Sequence, residues 1–479
     1  MSELIPVDVP SPRAAGPRQA LRTTPGARRS LLALALAGLG ALGACGGGHD
    51  DGLSGADSLS CSVADQQTWL ASYFNDQYYF YASSPAFPPQ QATVGAYFDS
   101  LLYVGGDSRF PANMTDVWSN YTALDKFSRF YGDGQDLGFG LFVNGVEVQG
   151  QPQAALRVRY VDPGSPAAAA GLVRGAVITA LNGVPAATLI ANDDYSALVA
   201  GSAGQALTVT THDDAGDHQY SLQAAVYDLS PVTHTQVMSS AGGRSVGYVM
   251  VKDMVDPAVS PWDAAFAQFK TAGVQDVVID LRYNGGGLVD VGEILASYPA
   301  SGLTNNKVYA NLTFNDKQSW QDVYYTFDPF QNAVSLPRVY VLTGPRTCSA
   351  AEQLVMGLSP YAQVVTVGAA TCGKPFGFTP VERCGTVYNA VTFRATNGAD
   401  TSVPLTGIAP TCAVDEDFGK ALGAADEPLL AAALQHADTG SCASAQTLAA
   451  RARAQGNIQG GTLKARWVEP NERQGLYRR

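Results

Sequence analysis

Ser349 occupies a position at which a nucleophile could be activated. Residues 339–343 have the pattern of a buried strand, and a short Gly-Pro-Arg-Thr-Cys segment then leads to Ser349. Residues 350–358 are predicted to be helical. A helix N-terminus presents free N–H groups and partial positive charge, which would stabilise an oxyanion formed beside the serine. The same pattern also fits a serine that only caps the helix, with Glu352 as its capping-box partner.

A lysine 25 residues after Ser349 could act as the base. Lys374 lies within Thr-Cys-Gly-Lys-Pro-Phe-Gly-Phe, after a glycine and before two phenylalanines. Apolar surroundings disfavour the ammonium ion and lower the pKa of a lysine. The neutral amine could then accept the serine proton in place of a histidine. The alternative is an exposed lysine at a turn.

Histidine is a weaker candidate for the base. The chain has five histidines, and none of them lies at a strand end in the α/β part of the sequence. His212 and His218 lie in an Asp-rich hairpin pattern, where we expect them to be solvated. A histidine-dependent triad therefore has little support.

Three consecutive glycines follow another buried strand pattern. Residues 280–287 read Asp-Leu-Arg-Tyr-Asn-Gly-Gly-Gly. Glycine lets the backbone approach a ligand closely, so N–H groups of this run could supply a second oxyanion donor. A phosphate loop is the alternative, but the Lys-Ser/Thr of a P-loop is missing.

Residues 136–226 have the pattern of a small β-rich module. Short alternating runs are separated by turn signals such as Pro-Gly-Ser-Pro at 163–166. The pattern resembles a PDZ domain, whose groove adds a peptide as an extra strand and holds its terminal carboxylate on backbone N–H groups. The residues that match the carboxylate-binding loop are Leu137, Gly138, Phe139 and Gly140. A small barrel without a ligand is the alternative.

The segment before this module divides into two parts. Residues 46–60 are rich in Gly, Asp and Ser, which predicts a flexible tether. Residues 61–135 carry aromatic side chains at helical spacing, and we interpret them as a helical N-terminal region whose aromatic stripe belongs to the core.

Residues 227–440 alternate strand and helix patterns. Continuous apolar strands such as 277–281 and 339–343 predict a buried, largely parallel sheet with helices between the strands. Residues 441–479 have little hydrophobic pattern and are predicted to form a tail.

Composition narrows the class of protein. The chain has 479 residues, of which 46% are hydrophobic and 15% charged, so it can bury a sizeable core in two or three domains. Its formal net charge of -12 argues against nucleic-acid binding, which usually requires a basic face.

The first 45 residues have the pattern of an export signal. Arg28 and Arg29 precede an uncharged apolar run at 31–44, which is too short to span a bilayer but typical of a signal peptide. The run ends in Leu-Gly-Ala-Cys, which resembles a bacterial lipobox with Cys45 as the lipidated residue. An ordinary buried helix is the alternative.

The cysteines fit an exported protein. Apart from Cys45, an even number remains, and this predicts disulfides. These cysteines are Cys61, Cys348, Cys372, Cys384, Cys412 and Cys442. Their pairing does not follow from the sequence, and a hairpin bridge between Cys372 and Cys384 is our favoured pairing. A metal site is not expected, because no Cys-x-x-Cys pair is present and no histidine lies close to a cysteine in the sequence.

The chain resembles the C-terminal processing peptidases, also called tail-specific proteases, because four motifs of that family occur in it in the family's order. The family's Asp-Leu-Arg-x-Asn-x-Gly-Gly strand end is matched at 280–287, and its Thr-x-Ser-Ala-x-Glu nucleophile segment at 347–352. Its Thr-x-Gly-Lys segment is matched at 371–374. A Leu-Asp-x-x-Ser-x-aromatic segment, matched at 124–130, precedes an inserted PDZ domain in that family.

The resemblance implies an α/β fold with a ClpP/crotonase-like catalytic core, an inserted β-rich PDZ-like domain and a helical N-terminal region. It implies that Ser349 attacks a peptide carbonyl and that Lys374 is the general base. The oxyanion would be held by backbone N–H groups of Ala350 and of Gly286 or Gly287. No metal and no organic cofactor is implied.

By the same resemblance, the expected activity is that of an exported serine endopeptidase. It would cleave unfolded or C-terminally exposed proteins in the cell envelope. The expected partners are a protein or peptide substrate, bound through its C-terminus, and a membrane, reached through a lipid on Cys45. Nucleic acid is not an expected partner.

The chain departs from the family at Phe378. Many members have a glutamine at this position, four residues after the lysine, where it is thought to orient the base. The alternative function is therefore that of a catalytically inactive envelope lipoprotein that binds peptides through its PDZ-like domain. Cys348 and Cys372 lie next to the nucleophile and the base, and a disulfide between them would make the site more rigid.

Overall fold

The computed structural model describes residues 60–442, except 86, 112 and 113, together with a two-residue strand near the N-terminus. Apart from that strand, which lies within the predicted signal peptide, the described residues exclude the signal peptide, Cys45, nearly all of the tether and the tail beyond Cys442. Among the described residues, no helix combines the length and the apolar character needed to cross a bilayer.

The N-terminal region is mostly helical. Its elements are β1 (Gln19–Ala20), α1 (Val63–Gln77), α2 (Val94–Ser100), β2 (Asn120–Ala123) and α3 (Leu124–Phe127). Ser62 and Thr93 begin α1 and α2 as capping residues, because their side chains accept hydrogen bonds from backbone N–H groups in the first turn.

A small β-rich unit follows. Its strands are β3 (Gln135–Gly138), β4 (Leu141–Val143), β5 (Leu156–Val161), β6 (Val177–Leu181), β7 (Val184–Pro185), β8 (Ala206–Asp213), β9 (Gly216–Gln223) and β10 (Ala225–Asp228). Its helices are α4 (Gly145–Val148), α5 (Pro166–Ala169) and α6 (Ala186–Asn192). The main sheet has the order β4-β5-β6-β8-β9 with β7 beside β6, and β3 pairs with β10. This unit has a hydrophobic core of its own.

The remaining chain forms the α/β core. Its strands are β11 (Val232–Ser239), β12 (Ser245–Val251), β13 (Asp276–Asp280), β14 (Val308–Phe314), β15 (Val323–Thr326), β16 (Arg338–Thr343), β17 (Gln363–Gly368), β18 (Phe376–Phe378), β19 (Val381–Arg383), β20 (Thr386–Asn389), β21 (Val391–Thr396) and β22 (Cys412–Ala413). Its helices are α7 (Val259–Ala272), α8 (Val289–Ala296), α9 (Ser301–Thr304), α10 (Ala350–Leu358) and α11 (Pro428–Thr439).

One sheet of the core is largely parallel, as the apolar strands predict. Its order is β11-β12-β13-β16-β17-β22, and every neighbouring pair except β11 with β12 is parallel. The strands are buried, because helices cover the sheet and leave little of its surface to water. A second sheet has the order β1-β15-β14-β21-β18, and a third joins β19, β20 and β2.

The N-terminal region packs against strand β18, directly after the loop of Lys374. The ring of Phe376 lies 5.0 Å from that of Phe80, 5.9 Å from that of Phe110 and 5.1 Å from that of Trp118, measured between centroids. These rings form an aromatic wall beside the loop of Lys374. The predicted stripe, at 69–74 and 97–102, lies in or against the same hydrophobic core.

Charged contacts join the β-rich unit to the core. Arg174 donates to Glu416 at 2.7 Å and to the hydroxyl of Tyr283 at 2.6 Å. Arg346, three residues before Ser349, forms an ion pair with Glu147 on the β-rich unit. The unit thus contacts the same segment that carries the candidate nucleophile.

The cysteine pairing differs from the favoured prediction. Cys372 is not paired with Cys384. The structure instead brings together Cys61 with Cys384, Cys348 with Cys372, and Cys412 with Cys442. Cys384 lies in the turn between β19 and β20, and this hairpin joins β2 of the N-terminal region, which brings the turn to the start of α1.

Candidate active site

Three loops meet at one edge of the parallel sheet. Strand β13 ends at Asp280, β16 at Thr343 and β17 at Gly368, and the three strands are neighbours in the sheet. The carboxyl ends of parallel strands lie at the same edge. The glycine run, the turn of Ser349 and the loop of Lys374 therefore emerge side by side.

Ser349 lies on a sharp turn at the start of α10. Its φ of 57° and ψ of -119° form a conformation that costs energy for any residue other than glycine. A residue that only caps a helix has extended backbone angles. The N–H of Ser349 donates to Glu352 at 2.9 Å, which is one half of a capping box. Capping alone does not account for the strained turn.

Another serine fits the Gly-x-Ser-x-Gly pattern of a nucleophile elbow, which the sequence reasoning missed. Ser245 lies within Gly-Arg-Ser-Val-Gly. It begins strand β12, however, and its N–H donates to the Gln275 side chain at 3.3 Å. The elbow requires a serine between a strand and a helix, so the pattern at Ser245 has the wrong structural context.

Lys374 is buried in apolar surroundings. Only 2% of its surface is exposed, and its Nζ lies 3.8 Å from the centre of the Phe378 ring. Burial lowers the pKa of Lys374 to about 7, although the negative charges of Asp116 and Glu352 act in the opposite direction. A substantial fraction of the lysine is then a neutral amine at neutral pH, as a general base requires.

Glu352 connects the two loops that carry Ser349 and Lys374. Its buried carboxylate accepts from the N–H of Ser349, as described, from the N–H of Gly373 at 2.8 Å and from that of Lys374 at 2.9 Å. The Thr371 hydroxyl donates to it as well. Burial raises the pKa of Glu352, and these hydrogen bonds oppose that rise. Glu352 is therefore a positioning residue, which the sequence indicated only as a helix-capping partner.

Asp116 is a second carboxylate that the sequence reasoning missed. It is buried in the N-terminal region, where it accepts from the Tyr78 hydroxyl at 2.5 Å and from the N–H of Trp118 at 2.9 Å. Its charge favours the protonated form of Lys374. No motif marks this aspartate, because its relation to Lys374 arises only when the aromatic wall packs on β18.

The glycine run approaches Ser349 closely. A side chain at Gly286 would lie 2.9 Å from the Ser349 Cβ and 3.1 Å from the Ala350 nitrogen. The N–H of Gly286 donates to the Asn284 side chain at 2.8 Å. The N–H of Ala350, in the first turn of α10, has no preceding helical carbonyl to bond. At Gly287 a side chain would collide with the backbone of Met254.

A small pocket lies beside Ser349 and Lys374. The residues lining it are Val289, Ser349, Ala350, Gln353, Lys374, Pro375, Phe376, Gly377, Phe393 and Ala395. The nucleophile, the base and one oxyanion donor predicted from the sequence therefore border the same space. Its remaining walls are mostly apolar.

The predicted carboxylate-binding loop lies away from this pocket, on the β-rich unit. Gly140 has a φ of 65°, and a side chain there would overlap Ser165. The loop joins β3 to β4, and β4 lies at the edge of its sheet. All four predicted residues line a separate pocket, together with Lys126 and others.

A second buried cation lies near the site but in a different environment. Arg282 is 1% exposed and contacts Asp280 at 2.9 Å and Glu427 at 2.8 Å. Glu416 lies at 3.3 Å. Burial acts to lower the pKa of Arg282, but Asp280 and Glu427 raise it well above the usual value. Burial acts to raise the pKa of Glu416, and Arg174 and Arg282 lower it to about 2.

Potential metal-ligand groups among the described residues each contain a bonded cysteine pair. These groups are Cys412–His436–Cys442 and Cys348–Glu352–Cys372. A disulfide sulfur has no thiolate charge with which to ligate a metal. We therefore assign no metal to either group.

Comparison with known protein families agrees with this geometry. Residues 245–414 match the family model of peptidase family S41, and residues 157–211 match that of a PDZ domain. Over these two ranges the chain is similar to an S41 peptidase that carries a PDZ domain. The resemblance to C-terminal processing peptidases is thereby confirmed, and so is the predicted fold class, an α/β core with a PDZ domain and a helical N-terminal region.

Relatives of this chain include C-terminal processing enzymes. A carboxyl-terminal-processing protease of Synechocystis sp. is 29% identical over 235 residues, which cover 48% of this chain and 52% of that protein. The chloroplastic carboxyl-terminal-processing peptidase 2 of Arabidopsis thaliana is 26% identical over 315 residues, covering 64% of this chain and 60% of that protein. The matches thus span between about half and three fifths of these relatives.

A solved structure shows the same fold over most of this chain. It is a crystal structure from Bacteroides fragilis whose protein is assigned to the S41 proteases. The TM-score is 0.61 at 26% identity, with 78% of this chain and 97% of that chain covered.

Proposed function

We propose that this chain is an exported serine endopeptidase with a Ser349/Lys374 dyad. It cleaves unfolded or C-terminally exposed proteins in the cell envelope. The observation that carries the proposal is the position of Lys374, which borders the same pocket as Ser349 and has a pKa of about 7. The match of residues 245–414 to peptidase family S41 gives independent support.

In the proposed reaction, the Ser349 Oγ attacks the carbonyl carbon of the scissile peptide. The hydroxyl proton passes to the neutral Nζ of Lys374, which later gives it to the leaving amine. Water then attacks the acyl-enzyme with Lys374 again as base, releases the acid product and restores Ser349. No metal and no organic cofactor takes part.

The oxyanion of the tetrahedral intermediate would be held by backbone N–H groups. Ala350 is one proposed donor, because its N–H lies at the start of α10 and beside the pocket. Of the two glycines predicted, Gly287 is the better second donor, since the N–H of Gly286 is already directed to Asn284.

The PDZ domain is proposed to bind the C-terminus of the substrate. Leu137, Gly138, Phe139 and Gly140 would present the backbone N–H groups for a terminal carboxylate, and β4 at the sheet edge would pair with the peptide. Lys126 and Asp136 also line this pocket.

Export and anchoring remain part of the proposal. We propose residues 1–45 as a signal peptide with lipidation at Cys45, 46–60 as a tether and 441–479 as a tail. The folded part comprises the helical region 61–135 and two domains, the PDZ-like domain 136–226 and the catalytic core 227–440. The three close cysteine pairs fit the oxidising cell envelope as disulfides, which mass mapping without reduction would test.

Phe378 favours one alternative, an inactive envelope lipoprotein that binds peptides through the PDZ domain. An aromatic ring cannot accept a hydrogen bond from Lys374 as a glutamine side chain does. The ring is nevertheless in contact with Nζ and so limits where the amine can lie. The alternative predicts peptide binding without cleavage.

The test is cleavage of an unfolded protein by the purified full chain. Ser349→Ala and Lys374→Ala should both abolish cleavage while circular dichroism stays unchanged. Ser245→Ala is the matched control, because Ser245 fits the nucleophile pattern but begins a strand. Failure of the unmodified chain to cleave between pH 6 and 9, together with peptide binding, would favour the inactive alternative.

A further inference from the structure

Gln353 lies one turn of α10 beyond Ser349 and is held in a single orientation. It is 4% exposed, and its Nε2 donates to the backbone carbonyl of Tyr309 at 3.2 Å. Because a carbonyl oxygen needs a donor, the carboxamide atom facing Tyr309 must be Nε2, and Oε1 is the atom on the opposite side. Among the described residues, no hydrogen-bond donor reaches this Oε1.

The same side chain borders the pocket of Ser349 and Lys374. The polar side chains in this lining are those of Ser349, Lys374 and Gln353. The rest of the lining consists of apolar side chains and backbone, and it includes Val289, Phe376 and Phe393. The Oε1 of Gln353 can only accept hydrogen bonds.

A buried acceptor without a donor is unfavourable, because it has lost its hydrogen bonds to water without replacement. Buried polar groups are otherwise nearly always paired, so an exception within a reaction pocket points to a group that meets its partner in the complex. The donor must be small, since the pocket that Gln353 borders is small.

We propose that Gln353 is a specificity-determining residue that selects a short hydroxyl-bearing side chain, threonine or serine, at the substrate residue whose carbonyl Ser349 attacks. The side chain of that residue is the one nearest the nucleophile, and Ser349 and Ala350 both border the pocket. Its hydroxyl donates to Oε1, and its carbon atoms contact the apolar walls. This inference rests on the proposed peptidase function.

The experiment uses peptide pairs that differ only by threonine or valine at this residue, because the two side chains have nearly the same shape. The unmodified full chain should cleave the threonine peptide with a kcat/KM about tenfold higher, the ratio that corresponds to one hydrogen bond. Gln353→Met keeps the length of the side chain without the acceptor and should remove or reverse this ratio.

Two results would overturn the inference. One is that Gln353→Met leaves the ratio of kcat/KM between the threonine and valine peptides unchanged, as expected if Oε1 binds only a water molecule. The other is an equal loss on both peptides with a shifted pH profile, which would mean that Gln353 acts on Lys374.

Binding separates a failure of this inference from a failure of the proposed function. Ser349→Ala cannot turn over, so calorimetry with both peptides tests recognition alone. Tighter binding of the threonine peptide, lost when Gln353→Met is added, supports the inference even if the unmodified chain cleaves neither peptide. Equal binding of both peptides by Ser349→Ala contradicts it.

Discussion

Lys374 and Arg282 are two cations at the same edge of the sheet, and they are almost equally buried. Their exposed fractions are 2% and 1%. The pKa of Lys374 is lowered to about 7, whereas that of Arg282 is raised well above its usual value. Arg282 has carboxylates within direct contact, while Lys374 Nζ lies against the Phe378 ring.

The contrast shows that partners, and not burial alone, decide the role of a buried cation. Direct ion pairs compensate the loss of hydration at Arg282 and keep it charged, which suits a structural role. The weaker influence of Asp116 and Glu352 on Lys374 leaves most of the burial effect in place. The lysine can therefore exchange a proton near neutral pH, as the dyad requires.

The largest expected effect is that of Lys374→Met. Loss of the base should lower kcat/KM by about 10³-fold, within the usual range for general base catalysis. The same change should stabilise the fold, because a lysine whose pKa falls on folding penalises the folded state. The penalty is complete below pH 7 and disappears as pH rises towards 10.5, the unfolded value. We expect a gain of about 2–4 kcal/mol at pH 6.

Urea unfolding at pH 6 and pH 10 measures this gain. The difference in free energy of unfolding between the variant and the unmodified chain should be large at pH 6 and small at pH 10. Lys270→Met, at an exposed lysine, is the matched control and should change neither stability nor activity. If Lys374→Met is less stable than the unmodified chain at pH 6, the proposed difference between Lys374 and Arg282 is contradicted.

Arg282→Met should have the opposite effect on stability. It leaves Asp280, Glu416 and Glu427 buried without their shared cation, which costs about 3–5 kcal/mol. Denaturant unfolding at pH 5 and pH 8 measures it, and equal stability of the variant and the unmodified chain at pH 8 would contradict the structural role.

A smaller effect is expected for Glu352→Gln. The substitution places an amide N–H₂ against N–H donors from Ser349, Gly373 and Lys374, so at least one of them loses its acceptor. We expect a loss of about 1–3 kcal/mol in stability and about tenfold or more in kcat. Thermal unfolding and steady-state kinetics measure the two, and Asp99→Asn on the exposed face of α2 is the control. Unchanged kcat would remove Glu352 from its positioning role.

The smallest effect concerns Phe378. The ring attracts the ammonium form of Lys374, which raises the pKa, so Phe378→Leu should lower the pKa further by about half a unit to one unit. The acidic limb of the kcat/KM profile should move to lower pH by that amount, since activity requires the neutral amine. Phe269→Leu on α7, away from the lysine, should not move it. A shift to higher pH would show that the ring acts mainly by excluding water.

The sequence predicted the parts of the site that are encoded locally. Ser349, Lys374 and the glycine run each follow a strand, so short patterns were enough to single them out, and the strand order of the structure places them at one sheet edge. Partners distant in sequence were not predictable. Glu427 is 145 residues from Arg282, and Cys61 is 323 residues from Cys384. Their contacts depend on how helices and hairpins pack, and no short pattern records that packing.

A direct titration of Lys374 tests the central claim. The full chain labelled with ¹³C at lysine Cε is followed by NMR from pH 5 to 11, and Lys374→Met identifies the signal by its disappearance. We predict that this signal titrates near pH 7, more than three units below an exposed lysine. A Lys374 signal that titrates at pH 10 or above would show a charged lysine at neutral pH and would contradict its assignment as the base.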